Sequence, residues 1–338
     1  MKICIIGAGA IGGLLAAKLA ASGEDVTVVA RGAQLAAIKS DGLRLIGEEG
    51  DVQDGDIHVR PRAVGTVKEA GPHDLVLLGM KAHQVAEIIP DLPATFTDET
   101  MVLTAQNGIP WWYFLKQESP FAGRRLESVD PGGIIAGGLP AERVIGSVVY
   151  PAAEIAAPGV IRLIEGNRFS LAEIDNSKSP RIEAVSQAFT RAGFKAPVVS
   201  DIRAEIWTKL WGNLSFNPIS ALTHATLAAI CADPLTRALA ADMMREAQAI
   251  GERLGIRFRI PLEKRIAGAA AVGEHKTSML QDVESGRFIE IDALVGSVIE
   301  LGEITGVPTP NISAVYACVK LLAQTAQAQK GAVRIVTL

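Results

Sequence analysis

The feature that most constrains this sequence is the run GAGAIG at residues 7–12, which follows a short β-branched segment and opens an Ala/Leu-rich helical pattern. In such a G-x-G-x-x-G turn the first glycine permits a tight turn, the second lets a pyrophosphate approach the backbone, and the third lets the helix pack closely on the strand. The N–H groups at the start of the helix also favour an anion. The alternative is a glycine-rich turn without a ligand. The predicted dinucleotide-binding residues are Gly7, Ala8, Gly9, Ala10, Ile11 and Gly12.

The rest of the first half alternates strand and helix. Short apolar runs typical of buried parallel strands occur at residues 2–7, 25–30, 74–79 and 101–105. The fold class predicted is therefore α/β, a Rossmann-type doubly wound parallel sheet over residues 1–199. The strand-like pieces 144–150 and 160–163 are expected to extend this sheet.

From about residue 200 the strand runs disappear and helical periodicity takes over. We therefore predict an all-helical second domain over residues 200–338. Its apolar surface is compatible with a homodimer interface as well as with a core, since periodicity does not separate the two. The clearest helical patterns lie at residues 202–216, 234–254 and 289–304.

Composition agrees with two globular domains and excludes several other classes of protein. The chain has 338 residues, of which 49% are hydrophobic and 21% charged, and its net charge is −4. This balance argues against disorder and against a broad basic surface for nucleic acid. The apolar run at residues 3–17 is shorter than the roughly 20 residues that span a bilayer. It also contains four glycines, so we expect neither membrane insertion nor secretion.

The cysteines point to a reducing compartment. Cys4, Cys231 and Cys318 are odd in number and far apart, and the five histidines add no ligand spacing. The sequence thus lacks both a disulfide framework and a metal-binding pattern. A cytoplasmic protein without a metal is expected.

The end of the second predicted strand bears on the choice of dinucleotide. An acidic residue there usually holds the ribose 2′-hydroxyl of NAD, but this chain has Ala30 followed by Arg31. A guanidinium suits a 2′-phosphate, so NADPH/NADP is the predicted cofactor. A solvated surface arginine is the alternative.

The helical half contains a polar stripe that could carry chemistry. Lys209, Asn213 and Asn217 recur every four residues and so share one helix face among apolar neighbours. Burial would lower the pKa of such a lysine and make it a good proton donor. The alternative is the solvated face of an amphipathic helix. Pro218 is expected to end or kink the helix just past Asn217.

Further polar residues follow predicted strands or begin helices. Lys81 and Asn107 each come just after a buried strand, at the edge where such sheets bind ligands, although Asn107-Gly108 also fits a simple turn. Ser278 fits an N-cap with Gln281 as its capping-box partner. Glu290 fits a first helical turn.

These motifs together resemble the ketopantoate reductase family. The matching segments are GAGAIG, MKAHQ, AQNG, KLWGNLSFNP and TSMLQD followed by EID, in family order over most of the chain. The resemblance implies an N-terminal Rossmann domain, a helical C-terminal domain and an active site in the cleft between them. It also implies NADPH-dependent reduction of a small-molecule 2-oxo acid, with ketopantoate as the first candidate.

The resemblance also implies roles for individual residues. Lys209 would be the general acid and Glu290 would support it. Asn213 and Asn217 would hold substrate hydroxyl or carbonyl groups, and Ser278 the carboxylate. The cofactor would be held by the glycine loop and Arg31, with Lys81 and Asn107 near its phosphate, ribose or nicotinamide end.

One segment departs from compact family members, and two other functions remain open. The aromatic and Gly-rich stretch Trp111–Gly133 looks like extra length and is expected to border the cleft and affect substrate range. The first rival function is an NADP-dependent reductase of another oxo acid, of the 3-hydroxyacid or opine-dehydrogenase type. The second is a non-catalytic NADPH-binding sensor, for which a buried proton donor would have no use.

Overall fold

The computed structural model describes residues 1–47 and 56–335. The chain divides into two units. Two short segments before Arg203 belong to the second unit, and so do all residues from Arg203 onward. The first unit contains Met1–Gln106, Pro110–Arg125 and Gly132–Ile202, and the second contains Asn107–Ile109, Leu126–Pro131 and Arg203–Leu338.

The strands of the first unit form two sheets. In chain order they are β1 (Lys2–Ile6), β2 (Asp25–Val29), β3 (Leu43–Ile46), β4 (Ile57–Val59), β5 (Arg62–Val64), β6 (Leu75–Leu78), β7 (Met101–Thr104), β8 (Val144–Val149), β9 (Ala152–Ala157), β10 (Val160–Glu165) and β11 (Phe169–Glu173).

The main sheet has seven strands in the order β5-β2-β1-β6-β7-β8-β11. All neighbours are parallel except β11, which runs antiparallel to β8. The central strands are buried along their length, as continuous apolar runs in parallel sheets should be. The strand order reverses between β1 and β6, which is where doubly wound sheets form a crevice at the carboxyl ends of their strands. The predicted α/β fold class is confirmed.

The second sheet was not predicted. Its order is β4-β3-β10-β9, with β3 and β10 parallel and the other pairs antiparallel. The expectation that residues 160–163 extend the main sheet is therefore wrong, although residues 144–149 do join it as β8. The reason is a long-range pairing, since β10 matches its register to β3 more than a hundred residues earlier.

Six α-helices are described in the first unit, and α1 packs against strands of both sheets. This close packing depends on Gly13, because a Cβ there would lie 2.6 Å from the Ile161 side chain of β10. The helices are α1 (Ala10–Ala21), α2 (Gly32–Asp41), α3 (Val67–Ala70), α4 (Val85–Ile88), α5 (Ile134–Gly138) and α6 (Pro180–Arg191).

The aromatic segment after β7 belongs to the core of the first unit. Trp111, Trp112, Tyr113 and Phe114 are at most 7% exposed. The indole N–H of Trp112 donates to Thr104 Oγ1 at 3.1 Å. These side chains therefore have a packing role, which the sequence did not suggest.

The second unit consists of helices. They are α7 (Ile202–Thr223), α8 (Leu227–Ala232), α9 (Pro234–Arg253), α10 (Leu262–Ala271), α11 (Ser278–Glu284), a π-helix (Asp292–Gly296), α12 (Ser297–Thr305) and α13 (Pro310–Gln329). Within residues 1–47 and 56–335 we find no helix with both the length and the apolar character needed to cross a membrane.

Helix α7 continues through Pro218 to Thr223, so the expectation that Asn217 ends the helix is wrong. A proline removes one backbone hydrogen bond from a helix interior. Burial of the surrounding turn offsets that loss, since Phe216, Ile219 and Ala221 are at most 2% exposed. Asn217 is consequently an interior residue of a long helix.

Candidate active site

The glycine loop of the first unit leaves no room for side chains at its first and third glycines. Gly7 has φ +98°, and a Cβ there would lie 2.9 Å from the backbone nitrogen of Met80. A Cβ on Gly12 would lie 1.9 Å from the carbonyl oxygen of Gly7. Both glycines are therefore needed for the close approach of α1, β1 and the segment after β6.

The second glycine of the loop is less crowded than the first and third. The nearest atom to a Cβ built on Gly9 is the carbonyl oxygen of Gly79 at 3.9 Å, and Gly9 is the N-cap of α1 without a side-chain capping bond. Ala8 is buried, and its carbonyl accepts from Gln34 Nε2 at 2.9 Å, which fixes the turn. Ala10 and Ile11 begin the helix. This open helix start fits a pyrophosphate.

Two cations lie along the chain just after strands β2 and β6. Arg31 is the N-cap residue of α2. Its side chain is 74% exposed, and its Nη1 lies 3.9 Å from Glu87 Oε2. Lys81 begins the turn after β6, where its backbone N–H donates to Gln84 Oε1 at 3.3 Å. The carboxyl ends of these two strands lie at one edge of the sheet, on either side of β1.

The polar stripe of α7 lies in the second unit. Lys209 Nζ donates to Asn107 Oδ1 at 2.6 Å, a contact between residues 102 positions apart. Asn107 belongs to the second unit with Lys209, although it follows β7 in the chain. Asn213 and Asn217 share α7 with the lysine, and Asn217 is 6% exposed.

Two opposing effects determine the charge of Lys209. Burial is the larger and lowers the pKa of its ammonium to about 8, while the nearby Glu290 carboxylate acts in the raising direction. The lysine thus carries a proton near neutral pH and can release it readily. This is the condition for a general acid.

A glycine and a π-helix hold Asn107 in place. Gly108 has φ +91°, and a Cβ there would lie 2.1 Å from the carbonyl oxygen of Ala293. The same carbonyl accepts from the backbone N–H of Ile109 at 3.0 Å. Ala293 lies in the π-helix that begins two residues after Glu290. The sequence indicated Asn107-Gly108 only as a ligand-binding strand end or a turn, so neither this contact nor the π-helix was predicted.

The structure places Ser278 on a separate helix and changes its local role. Thr277 is the N-cap of α11, with its Oγ1 accepting from Leu280 N at 3.3 Å, so the prediction of Ser278 as N-cap is wrong. Gln281 donates to the Lys276 carbonyl and does not complete a capping box. Ser278 is the exposed first residue of α11, and its hydroxyl is not the cap.

In the described residues, His, Cys, Asp and Glu side chains form no group of three or more that could hold a metal ion. The chemistry of the second unit is instead that of an ammonium, a neutral amide and a carboxylate. Lys209 can donate a proton, Asn107 orients it, and Glu290 favours its charged form. Such a set suits protonation of an oxygen on which negative charge develops.

Comparison with known proteins gives a consistent result over both units. The family profile "Ketopantoate reductase PanE/ApbA" matches residues 3–176, and "Ketopantoate reductase PanE/ApbA C terminal" matches residues 201–323. A 2-dehydropantoate 2-reductase of Mesorhizobium japonicum is 56% identical over 325 residues, which is 96% of this chain and 98% of the relative.

Solved structures agree. A crystal structure of a protein from Ralstonia solanacearum, described as a ketopantoate reductase, has a TM-score of 0.90 and 41% identity and covers 96% of this chain and 98% of its own. The 2-dehydropantoate 2-reductase of Geobacter metallireducens has a TM-score of 0.81 and 27% identity, with 96% and 100% covered.

Proposed function

Since this chain belongs to the ketopantoate reductase family, we propose that it reduces the 2-oxo acid ketopantoate to the 2-hydroxy acid pantoate with NADPH, as a step of pantothenate biosynthesis. The observation that carries the proposal is the hydrogen bond of 2.6 Å between Lys209 and Asn107, made by a lysine whose pKa is lowered to about 8. A protein that only binds a dinucleotide has no use for such a proton donor.

The glycine loop and the two cations of the first unit would hold the cofactor. Gly9 and the start of α1 would take the pyrophosphate, because the loop is open there and rich in N–H groups. Arg31 would pair with the 2′-phosphate, and its exposed guanidinium supports that role. Lys81 and Asn107 would lie near the phosphate, ribose or nicotinamide end. When bound, NADPH supplies the hydride that reduces the carbonyl carbon.

The residues of the second unit would bind the substrate and move the proton. Lys209 would donate its proton to the carbonyl oxygen as negative charge builds there, and would stabilise that charge before the transfer. Asn107 would keep the ammonium directed, and Glu290 would hold it protonated. Asn213 and Asn217 would hold the hydroxyl or carbonyl groups of the substrate. Ser278, whose hydroxyl is not the helix cap, would donate to the carboxylate.

The test is the loss of reduced-nicotinamide absorbance on mixing purified protein and NADPH with a panel of 2-oxo acids, with ketopantoate first and NADH as the control. Turnover of ketopantoate, faster with NADPH than with NADH, is the expected result. Turnover of a different oxo acid alone, or of one that needs an amine partner, would mean that the substrate is not ketopantoate but that the protein is still an oxo-acid reductase. Tight NADPH binding without turnover of any oxo acid would favour a sensor.

We further propose that the enzyme works in the cytoplasm as a homodimer. Its three free cysteines, two of them buried, suit a reducing compartment. A ketopantoate reductase of Staphylococcus aureus with the same fold is dimeric. Light scattering of the purified protein tests the second statement, and the mass of a single chain would contradict it.

A further inference from the structure

Helix α7 carries a glycine against which an arginine of another helix is packed. A Cβ built on Gly212 would lie 2.3 Å from Nη2 and 2.9 Å from Cζ of Arg265. The guanidinium thus occupies the space that a side chain at residue 212 would fill. Glycine is unfavourable in a helix interior compared with alanine, so this contact gives the glycine a structural purpose.

The position of this contact along α7 relates it to the proposed proton donor. Gly212 follows Lys209 by three residues, and side chains at that spacing are neighbours on a helix surface, about 5–6 Å apart at their Cβ atoms. The guanidinium of Arg265 therefore lies beside the polar stripe, next to the turn that carries Lys209. All of these residues belong to the second unit.

Helix α10 holds Arg265 at this position. The backbone N–H of Arg265 donates to the Pro261 carbonyl in the first turn, and Ile266 and Ala269 are at most 3% exposed on the inner face of the helix. The backbone that carries Arg265 is thus fixed by a packed helix, and its guanidinium lies against Gly212 of α7.

The residues named in the proposed function give the carboxylate of an oxo acid no positive charge of its own. A protonated Lys209 and an ionised Glu290 cancel each other, and the proton of the lysine is committed to the carbonyl oxygen. A carboxylate taken out of water needs a partner charge of its own. A hydroxyl such as that of Ser278 can donate to it but brings no charge, whereas the planar fork of an arginine matches a carboxylate with two parallel bonds.

We propose that Arg265 binds the carboxylate of the oxo acid and makes the enzyme selective for acids over neutral oxo compounds. The inference rests on the proposed reductase function and adds a specificity residue to it. Gly212 is part of the same proposed binding site, because any larger residue at position 212 would displace the Arg265 guanidinium.

The experiment compares ketopantoate with its neutral methyl ester in the wild type and in Arg265→Met. We expect KM for the acid to rise by about 10- to 100-fold, the range expected for loss of a charge-assisted hydrogen bond. KM for the ester and the affinity for NADPH should stay within about twofold of the wild type. Lys264→Met is the matched control, since it removes the same charge from the neighbouring exposed position of α10. It should change neither KM.

A second variant keeps Arg265 and fills the space in which its guanidinium packs against α7. Gly212→Ala places a methyl group where the guanidinium lies and should raise KM for the acid selectively, with thermal unfolding measured alongside to confirm that the protein is folded. Equal rises for acid and ester in Arg265→Met, or no rise for either, would overturn the inference while the reductase function stands. If the wild type turns over no oxo acid at all, the proposed function itself is wrong, and the inference fails with it.

Discussion

Lys209 illustrates how a single residue acquires its chemistry from its surroundings. Burial removes water from its ammonium, so the pKa falls to about 8. Asn107 compensates with a neutral acceptor at 2.6 Å, and Glu290 with a negative charge. The sequence predicted the polar stripe and the direction of this shift. It did not show that Lys209 and Asn107 meet, because nothing in a single sequence reports contacts over a hundred residues.

Replacement of Lys209 by alanine tests its proton-donating role. Loss of a positioned general acid should lower kcat by about 10²- to 10⁴-fold. The dissociation constant for NADPH, measured by fluorescence titration, should hardly change. Thr208→Ala, at the neighbouring exposed position of α7, is the control and should retain full turnover. A Lys209→Ala enzyme with wild-type kcat would remove the lysine from the mechanism.

The pH dependence of reduction follows from the same residue. Only the ammonium form of Lys209 can donate, and its pKa in the folded protein is lowered to about 8. We therefore expect kcat/KM for reduction to be highest below that pH and to fall about tenfold per pH unit well above it. The residual activity of Lys209→Ala should lack this alkaline limb. A profile that stays flat up to pH 10 would mean that another group supplies the proton.

Arg31 should determine the preference between the two nicotinamide cofactors. Arg31→Ala removes the group proposed to pair with the 2′-phosphate, so we expect NADPH affinity to fall about tenfold or more. NADH affinity should be nearly unchanged, since NADH lacks that phosphate. Lys39→Ala removes an exposed cation from α2, the helix that Arg31 caps, and serves as the control. Equal losses for the two cofactors would contradict this assignment.

At the scale of elements, the π-helix Asp292–Gly296 links the proposed catalytic residues. It starts just after Glu290, and its Ala293 carbonyl holds the segment that carries Asn107. The Asp292 carboxylate accepts from Tyr316 and Lys320 of α13 at 2.7 Å and 2.6 Å, which fixes the element from its other side. π-Helices are rare and occur often at functional sites. Helical periodicity cannot distinguish this element from an α-helix, so the sequence predicted only a helix there.

Gly108→Ala tests this link. The added methyl group would clash with the Ala293 carbonyl and strain a backbone at φ +91°. We expect a loss of stability of about 1–3 kcal/mol and a lower kcat, since Asn107 would be displaced from Lys209. Gly306→Ala is the matched control because its φ is +71° but nothing lies within 4 Å of the added carbon. Thermal unfolding and turnover measured on both variants separate strain from displacement, and equal kcat values would argue against the link.

Other elements show where sequence patterns succeed and fail. The buried strands β1, β2, β6 and β7 were predicted because each is a short run of mostly apolar or β-branched residues. The stretch Trp111–Gly133 was expected to border the cleft, and this stays a prediction, whereas its Trp111 and Trp112 are buried core residues of the first unit. An aromatic cluster has the same sequence pattern in both roles, and only the surrounding packing separates them.

For the molecule as a whole, the β/α alternation followed by helical periodicity predicted the fold class, because those patterns are local. The second sheet escaped prediction because β3 and β10 pair over a long sequence separation. Two short excursions of the chain, Asn107–Ile109 and Leu126–Pro131, belong to the second unit. The sequence did not predict them, for the same reason. The latter excursion is held by Glu300 of α12, which accepts from the backbone N–H groups of Glu127 and Ser128 at 2.7 Å and 2.9 Å.

These excursions have a consequence for how the protein is made. During synthesis on a ribosome, Asn107 emerges about a hundred residues before Lys209. The hydrogen bond between them therefore forms only after Lys209 has been synthesised. The second unit therefore cannot be completed from its own continuous stretch of chain. A fragment starting at Arg203 would carry Lys209 and Glu290 without Asn107. Exchange of the two halves between relatives by a single crossover near residue 202 would join a lysine from one parent to an asparagine from the other.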